Sequence, residues 1–281
     1  EEAWKSSTGD KSIIVAVLDE GVMVEHPDLK NNMWVNEGEV YRSKQDNDGN
    51  GYKGDVYGYN FVFDTGVISW DDVSDTGHGT HVAGVIAAQN NNGIGISSIA
   101  GGNADIPGVK IMSCQIFSGN DATSGAITTS AEAIKYAADN GAVIIQCSFG
   151  SKAGTYTSDS AYERGSGVQY NAIKYFIESQ NCDAVDGGVV IFAAGNDATA
   201  MSGYPGAYHD YISVTSFSPD YLPAYYTNYG PGCNISAPGG DYKISADAAK
   251  TYAEVLSTVP SELSEYNGAD YGFICLLYTS P

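Results

Sequence analysis

Three short stretches combine residue types that could activate a nucleophile and stabilise a developing charge. Asp19 closes the apolar run Ser12–Leu18, where a shielded carboxylate could hold a histidine in one orientation or simply cap the following turn. The stretch Asp75-Thr-Gly-His-Gly-Thr-His-Val-Ala-Gly84 sets His78 between Gly77 and Gly79, which let backbone approach closely and leave the imidazole uncrowded. Histidine titrates near neutral pH, so His78 is a candidate general base. Asn196, in Phe192-Ala-Ala-Gly-Asn-Asp197, could donate its side-chain amide to an oxyanion, a contact worth about 3 kcal/mol, or could belong to an ordinary Gly-Asn turn. Zinc ligation by His78 and His81 is disfavoured by their spacing of three and by the lack of a glutamate after His78. The glycines of this block fall too late, and follow no strand, for a dinucleotide-binding loop.

Residues of this kind need rigid elements behind them. Apolar runs at Ser12–Leu18, Ala142–Cys147 and Gly188–Ala194 predict buried strands, with further strands over Val109–Ile116 and Ile212–Phe217. Helical spacing predicts helices over Ala126–Asn140, stopped by Gly141, over Val168–Ser179, and from His81 to Ala88. Strands alternating with helices predict an α/β chain on a parallel sheet, whose ligands sit at the carboxyl ends of the strands.

The chain has 281 residues, enough for one large α/β unit with its own core, and shows no repeat or linker. Its 13 Lys and Arg against 34 Asp and Glu leave a net charge of −21, which repels nucleic-acid phosphate and anionic lipid. A hydrophobic content of 43% with 11% aromatics excludes a disordered acidic chain, so the excess acid lies on a folded surface or binds cations. No apolar stretch is long enough for a membrane span. The five scattered cysteines form no Cys-x-x-Cys pair; Cys114 and Cys147 are expected to be buried free thiols.

Taken in order, Asp19 and its strand, the His78 block, Ser148-Phe149-Gly150, Ala-Ala-Gly-Asn196 and Ala237-Pro-Gly239 resemble the subtilisin-like serine proteases from about Trp4 to Tyr271. The resemblance implies a three-layer, doubly wound, mostly parallel α/β fold and a serine endopeptidase acting on proteins or peptides. It implies a monomer, set outside the cell or in its envelope, without nucleic-acid or membrane partners. Asp19 would orient His78, His78 would shuttle the proton, and Asn196 would hold the oxyanion. Ser148, Phe149 and Gly150 would pair with an extended substrate and form one pocket wall. Ala193, Ala194 and Gly195 would form the opposite wall, with Gly203 as the floor and Asp197 at the mouth adding some preference for a basic side chain.

The family's nucleophile lies in a Gly-Thr-Ser-Met-Ala block. Here Leu256-Ser257-Thr258 and Tyr271-Gly-Phe273 provide the lead-in, but the sequence continues Ile274-Cys-Leu-Leu-Tyr-Thr-Ser-Pro281. Ser280 has neither the preceding glycine nor a following helix. The expectation is therefore a peptidase domain over residues 1–273, incomplete at its C-terminus, with residues 274–281 foreign to the family and residues 1–281 close to inactive. The alternative is a non-catalytic peptide-binding pseudoprotease.

Two loops suggest structural Ca²⁺. Asp46, Asp48 and Asn50 alternate in a Gly-rich turn with Asp55 beyond, without the twelfth-position glutamate of an EF-hand. By resemblance, Asp28 would pair with Asn91 or Asn92 in the Gln89–Gly95 loop; Asn91 is the expected ligand. The stretch Ser151–Gln169 looks like an insertion and is expected to be a solvated loop or a lid.

Overall fold

A computed structural model describes residues 2–119, 126–179, 185–245 and 253–275. Runs of apolar and β-branched residues form strands β1 (Ile14–Asp19), β3 (Lys110–Gln115), β4 (Ile144–Cys147), β5 (Val189–Ala193) and β6 (Ile212–Phe217). Two shorter strands, β2 (Gly58–Asn60) and β7 (Ile235–Pro238), complete a parallel sheet of order β2-β3-β1-β4-β5-β6-β7. That order reverses at β1, which lies between β3 and β4, and such a switch point opens a crevice at the strands' carboxyl ends. Asp19 is the last residue of β1.

Alternation along β1 sorts the core into two layers. Ala16 and Leu18 pack with Ala133 and Ile134 of α2 (Ile127–Asp139) and Ile173 and Phe176 of α4 (Gly167–Glu178). Val15 and Val17 pack with Val82, Ala83 and Ala87 of α1 (His78–Ala87) on the opposite face. Helices on both faces of a parallel sheet give the three-layer, doubly wound α/β fold expected. Cys114 and Cys147 are fully buried free thiols in the first layer, and burial pushes both thiols up.

Helix α1 covers its face chiefly over β1 and β3. Strand register carries that face onward from Val17 through Gln146, Ile191 and Ile212, and in the next row from Ala193 through Val214 to Ile235. These outer residues are half-buried, and Ile235 is 59% exposed. Together with Val82, Val85 and Ile86, Ile191 and Val214 line an apolar groove of about 180 Å³. Such a face is the side of a sheet that a helix ordinarily covers.

A hairpin of β8 (Val255–Thr258) and β9 (Tyr271–Ile274) packs on the outer side of α1. Ser257 Oγ donates to the carbonyl of His81 and Thr258 Oγ1 to that of Thr80, both at 2.8 Å. Gly84 lets the two approach: a Cβ there would lie 2.2 Å from Thr258 Oγ1. The first two residues of the expected tail are packed in the structure. Ile274 pairs with Val255, and Cys275 is buried against Ala224 and Tyr226. Ser280 and the rest of the tail lie outside the described residues.

The stretch expected as a loop or lid holds a short helix, α3 (Asp159–Gly165), capped by Ser158 Oγ, which accepts from the Ala161 amide. Tyr162 anchors it in the core, and Asp159 and Glu163 accept hydrogen bonds from Tyr204 and Tyr208. With one buried residue among polar ones, α3 shows no apolar stripe in the sequence. Among the described residues no helix is long and apolar enough to cross a membrane.

Candidate active site

Asp19 and His78, fifty-nine residues apart, meet at the carboxyl edge of the sheet. His78 Nδ1 lies 2.8 and 2.9 Å from the two oxygens of Asp19, and both side chains are almost fully buried. A carboxylate only accepts, so Nδ1 carries the proton and Nε2 is the basic nitrogen of the ring. Asp19 Oδ1 also accepts the Glu20 amide at 2.8 Å, which fixes the carboxylate. His78 opens α1 directly after Gly77, whose φ of 73° suits glycine. At Gly79 a Cβ would lie 2.2 Å from the Glu20 carbonyl oxygen, so glycine is what lets α1 reach the end of β1. His81 turns elsewhere: its Nε2 bonds the Val255 carbonyl at 2.9 Å, and burial pulls its pKa down to about 4, which keeps it neutral.

Leu18, Cys147 and Phe192 form one register row across β1, β4 and β5. Asp19, Ser148 and Ala193 are the next residues along, so both following loops emerge beside the Asp19–His78 pair. Ser148, Phe149 and Gly150 lie just past β4 and are not part of its ladder. Phe149 and Gly150 face Ala193, Ala194 and Gly195 across a cleft of about 280 Å³ that also takes in Asn196 and Gly203. Ser148 borders the apolar groove instead. Gly203 closes against the 151–152 backbone, where a Cβ would meet the Ser151 carbonyl oxygen at 2.4 Å.

The Asn196 side chain forms no hydrogen bond among the described residues, and its Oδ1 is buried. Its loop is braced by Asn228, which donates to the Ala194 carbonyl at 3.0 Å and accepts the Asp197 amide at 2.9 Å. Asn228 carries no local sequence signal. Asp197 is exposed and lines the same cleft, as does Lys152; its Oδ2 accepts the Ala153 amide at 3.0 Å.

The acidic loop brings Asp46 and Asp48 together with Glu39, which is not among the expected ligands. Carboxylate oxygens of Glu39, Asp46 and Asp48 lie within 4.8 Å of one another, the spread allowed around one ion with Ca–O distances near 2.4 Å. None of the three has a Lys or Arg ion-pair partner among the described residues. Burial raises the Glu39 carboxyl, but the amides of Asn47, Gly54 and Asp48 outweigh it and hold the pKa below its ordinary value. Asp55 is not in this cluster, and the Asn50 side-chain amide is turned to Asp55 while its backbone amide donates to Asp48 Oδ1 at 3.0 Å. Asp55, fully buried, accepts from Tyr136 OH at 2.7 Å and Asn50 Nδ2 at 3.0 Å, so it ties the loop to α2. At Asp28 the partner is Asn92, whose Nδ2 donates at 2.6 Å; Asn91 is exposed, with a φ of 58°. Glu39 sits outside the Asp-x-Asp run, which is why spacing alone did not point to it.

The subtilase family model (Peptidase S8) matches residues 10–274. Halolysin of Haloferax mediterranei is 32% identical over 258 residues, covering 92% of this chain and 41% of halolysin. Thermitase of Thermoactinomyces vulgaris is 30% identical over 257 residues, covering 92% of this chain and 73% of thermitase. Among solved structures, a protease from Pseudoalteromonas arctica matches over 98% of this chain and 76% of its own, with a TM-score of 0.64 and 26% identity. The chain thus spans less than half of halolysin's length.

Proposed function

The chain belongs to the subtilase family, and from that premise we propose that it carries the Asp, His and oxyanion parts of a serine endopeptidase site acting on protein or peptide substrates. The observation that carries this reading is the buried two-oxygen contact of Asp19 with His78 Nδ1 at 2.8 and 2.9 Å. With Nδ1–H committed to the carboxylate, Nε2 takes the nucleophile's proton as it attacks the scissile carbonyl and then gives it to the leaving amine. Asp19 stays ionised and stabilises the imidazolium. Asn196, with no competing hydrogen bond, donates to the tetrahedral oxyanion. The substrate backbone lies along Ser148–Gly150, and the cleft between Phe149 and Ala194 takes the side chain before the cut.

The nucleophile, in this proposal, is a serine on an apolar helix that covers Ile191 and Val214 in the groove beside α1 and Ile235 next to Val214 in the same register row. Residues 1–281 alone are then close to inactive. A fluorophosphonate probe tests this: it should leave the 281-residue chain unlabelled, and stoichiometric labelling at Ser280 would contradict it. The setting outside the cytoplasm or in the envelope is part of the same proposal, tested by fractionating the source cells.

The carboxylates of Glu39, Asp46 and Asp48 fit a hard, oxygen-liganded cation, and we propose Ca²⁺ there. The ion's two positive charges would offset most of the three gathered negative ones and tie the loop down, a structural role. At 100 times its Kd, Ca²⁺ adds about 2.7 kcal/mol, so EGTA should lower the melting temperature by roughly 5–10 °C. Glu39→Gln should abolish most of that dependence and Asp55→Asn should leave it. An unchanged melting temperature in EGTA removes the site.

A further inference from the structure

Glu20 follows the candidate catalytic aspartate and is only 4% exposed. Its carboxylate accepts the Thr76 amide at 3.1 and 3.2 Å, the Thr76 hydroxyl at 3.2 and 3.3 Å, and the His78 amide at 2.9 Å. The main chain of Glu20 is equally committed, with its amide on Asp19 Oδ1 and its carbonyl against Gly79. One residue therefore joins the end of β1 to the start of α1 on either side of the imidazole. Thr76 is held from the other side by Tyr266, whose hydroxyl donates to its carbonyl at 2.7 Å.

We propose that Glu20 is a positioning residue for the Asp19–His78 pair, setting the seat of the imidazole through its grip on Thr76 and on the His78 amide, and that protonation of Glu20 relaxes this grip. The inference rests on the active-site reading above.

The charges around Glu20 favour a function over simple reinforcement. Asp19 on β1 and Asp75 ahead of α1 both repel its carboxylate, while His78 and Tyr266 face it from α1 and the 264–266 turn. Burial, then Asp19 and Asp75, raise its pKa from 4.5 to about 7, against the pull of the Thr76 and His78 amides. A carboxyl raised on folding supports stability fully below its unfolded value of 4.5, and that support is lost as the pH rises through about 7. Near neutrality the ionised side chain is thus a burden on the fold. A residue that burdens the fold while gripping the histidine's own amide is explained by what it does for the histidine.

The test is a proton NMR titration of the four histidines in the 281-residue chain and in Glu20→Gln, read from the Cε1 resonances, together with melting curves at pH 5 and pH 8. It needs no turnover, so failure of the nucleophile proposal leaves it decidable. The His78 curve of the parent should show an inflection near pH 7 that is absent in Glu20→Gln, whose remaining His78 midpoint falls as a nearby negative charge is lost. The curves of His26, His81 and His209 should not move. Glu20→Gln should melt higher than the parent at pH 8, with a smaller gap at pH 5. Glu20→Asp keeps the charge and the inflection but, being shorter, should still displace the His78 resonance. Identical His78 curves in all three proteins overturn the proposal, as does a Glu20→Gln variant that melts lower at pH 8.

Discussion

A chain continued past Phe273 through a Gly-Thr-Ser-Met-Ala segment and an apolar helix should hydrolyse a chromogenic peptide on the order of 10⁶ times faster than residues 1–281. The size follows from what the serine contributes in subtilisin, where losing it costs about that factor in kcat. Loss of the oxyanion donor alone costs only about 10²–10³, and the histidine is the same in both proteins, so the added serine is what a change of this size reports. Stability should rise with activity, because the helix would cover a face left partly in water. Ile235 is 59% exposed, and burying it contributes on the order of 1 kcal/mol. Ile191 and Val214, both half-buried on the same face, add to that. Equal rates with and without the added segment would place the nucleophile within residues 1–281, or deny the chemistry altogether.

Asp19→Asn in the continued chain should lower kcat by about 10⁴ with little change in KM. The carboxylate holds the proton on Nδ1 because it can only accept. An asparagine could turn its amide toward Nδ1 and donate, which moves the ring proton to Nε2 and leaves no lone pair for the incoming serine. The proposed substrate strand, Ser148–Gly150, and the residues lining the cleft do not include Asp19, so binding should be spared. A drop in kcat/KM carried mostly by KM would assign Asp19 to the substrate rather than to His78.

Much of this architecture was legible in the residues because the central strands are buried on both faces and so appear as unbroken apolar runs. The strand over Ile212–Phe217 begins and ends where the pattern predicts, and the helix predicted over Ala126–Asn140 spans Ile127–Asp139, ending just before Gly141. Strands β2 and β7 escaped because Gly-Tyr-Asn and Ile-Ser-Ala-Pro are too short and mixed to carry a period. The Asp19–His78 pair was found through motif order, since fifty-nine residues of separation have no local signature. Glu39, Asn228 and Glu20 act through long-range hydrogen bonds that sequence spacing does not encode. Asn92 replaces Asn91 at Asp28 because residue 91 takes the left-handed conformation, turning the loop so that the next side chain reaches inward.

Activation of a serine by Asp19 and His78 is read from the rate of fluorophosphonate labelling of the continued chain, compared with the same chain carrying His78→Ala. Labelling is expected at the serine of the added block, slowed at least about 10³-fold by the substitution, because the loss of the base leaves an unactivated hydroxyl. Labelling at the same rate in both proteins would contradict it.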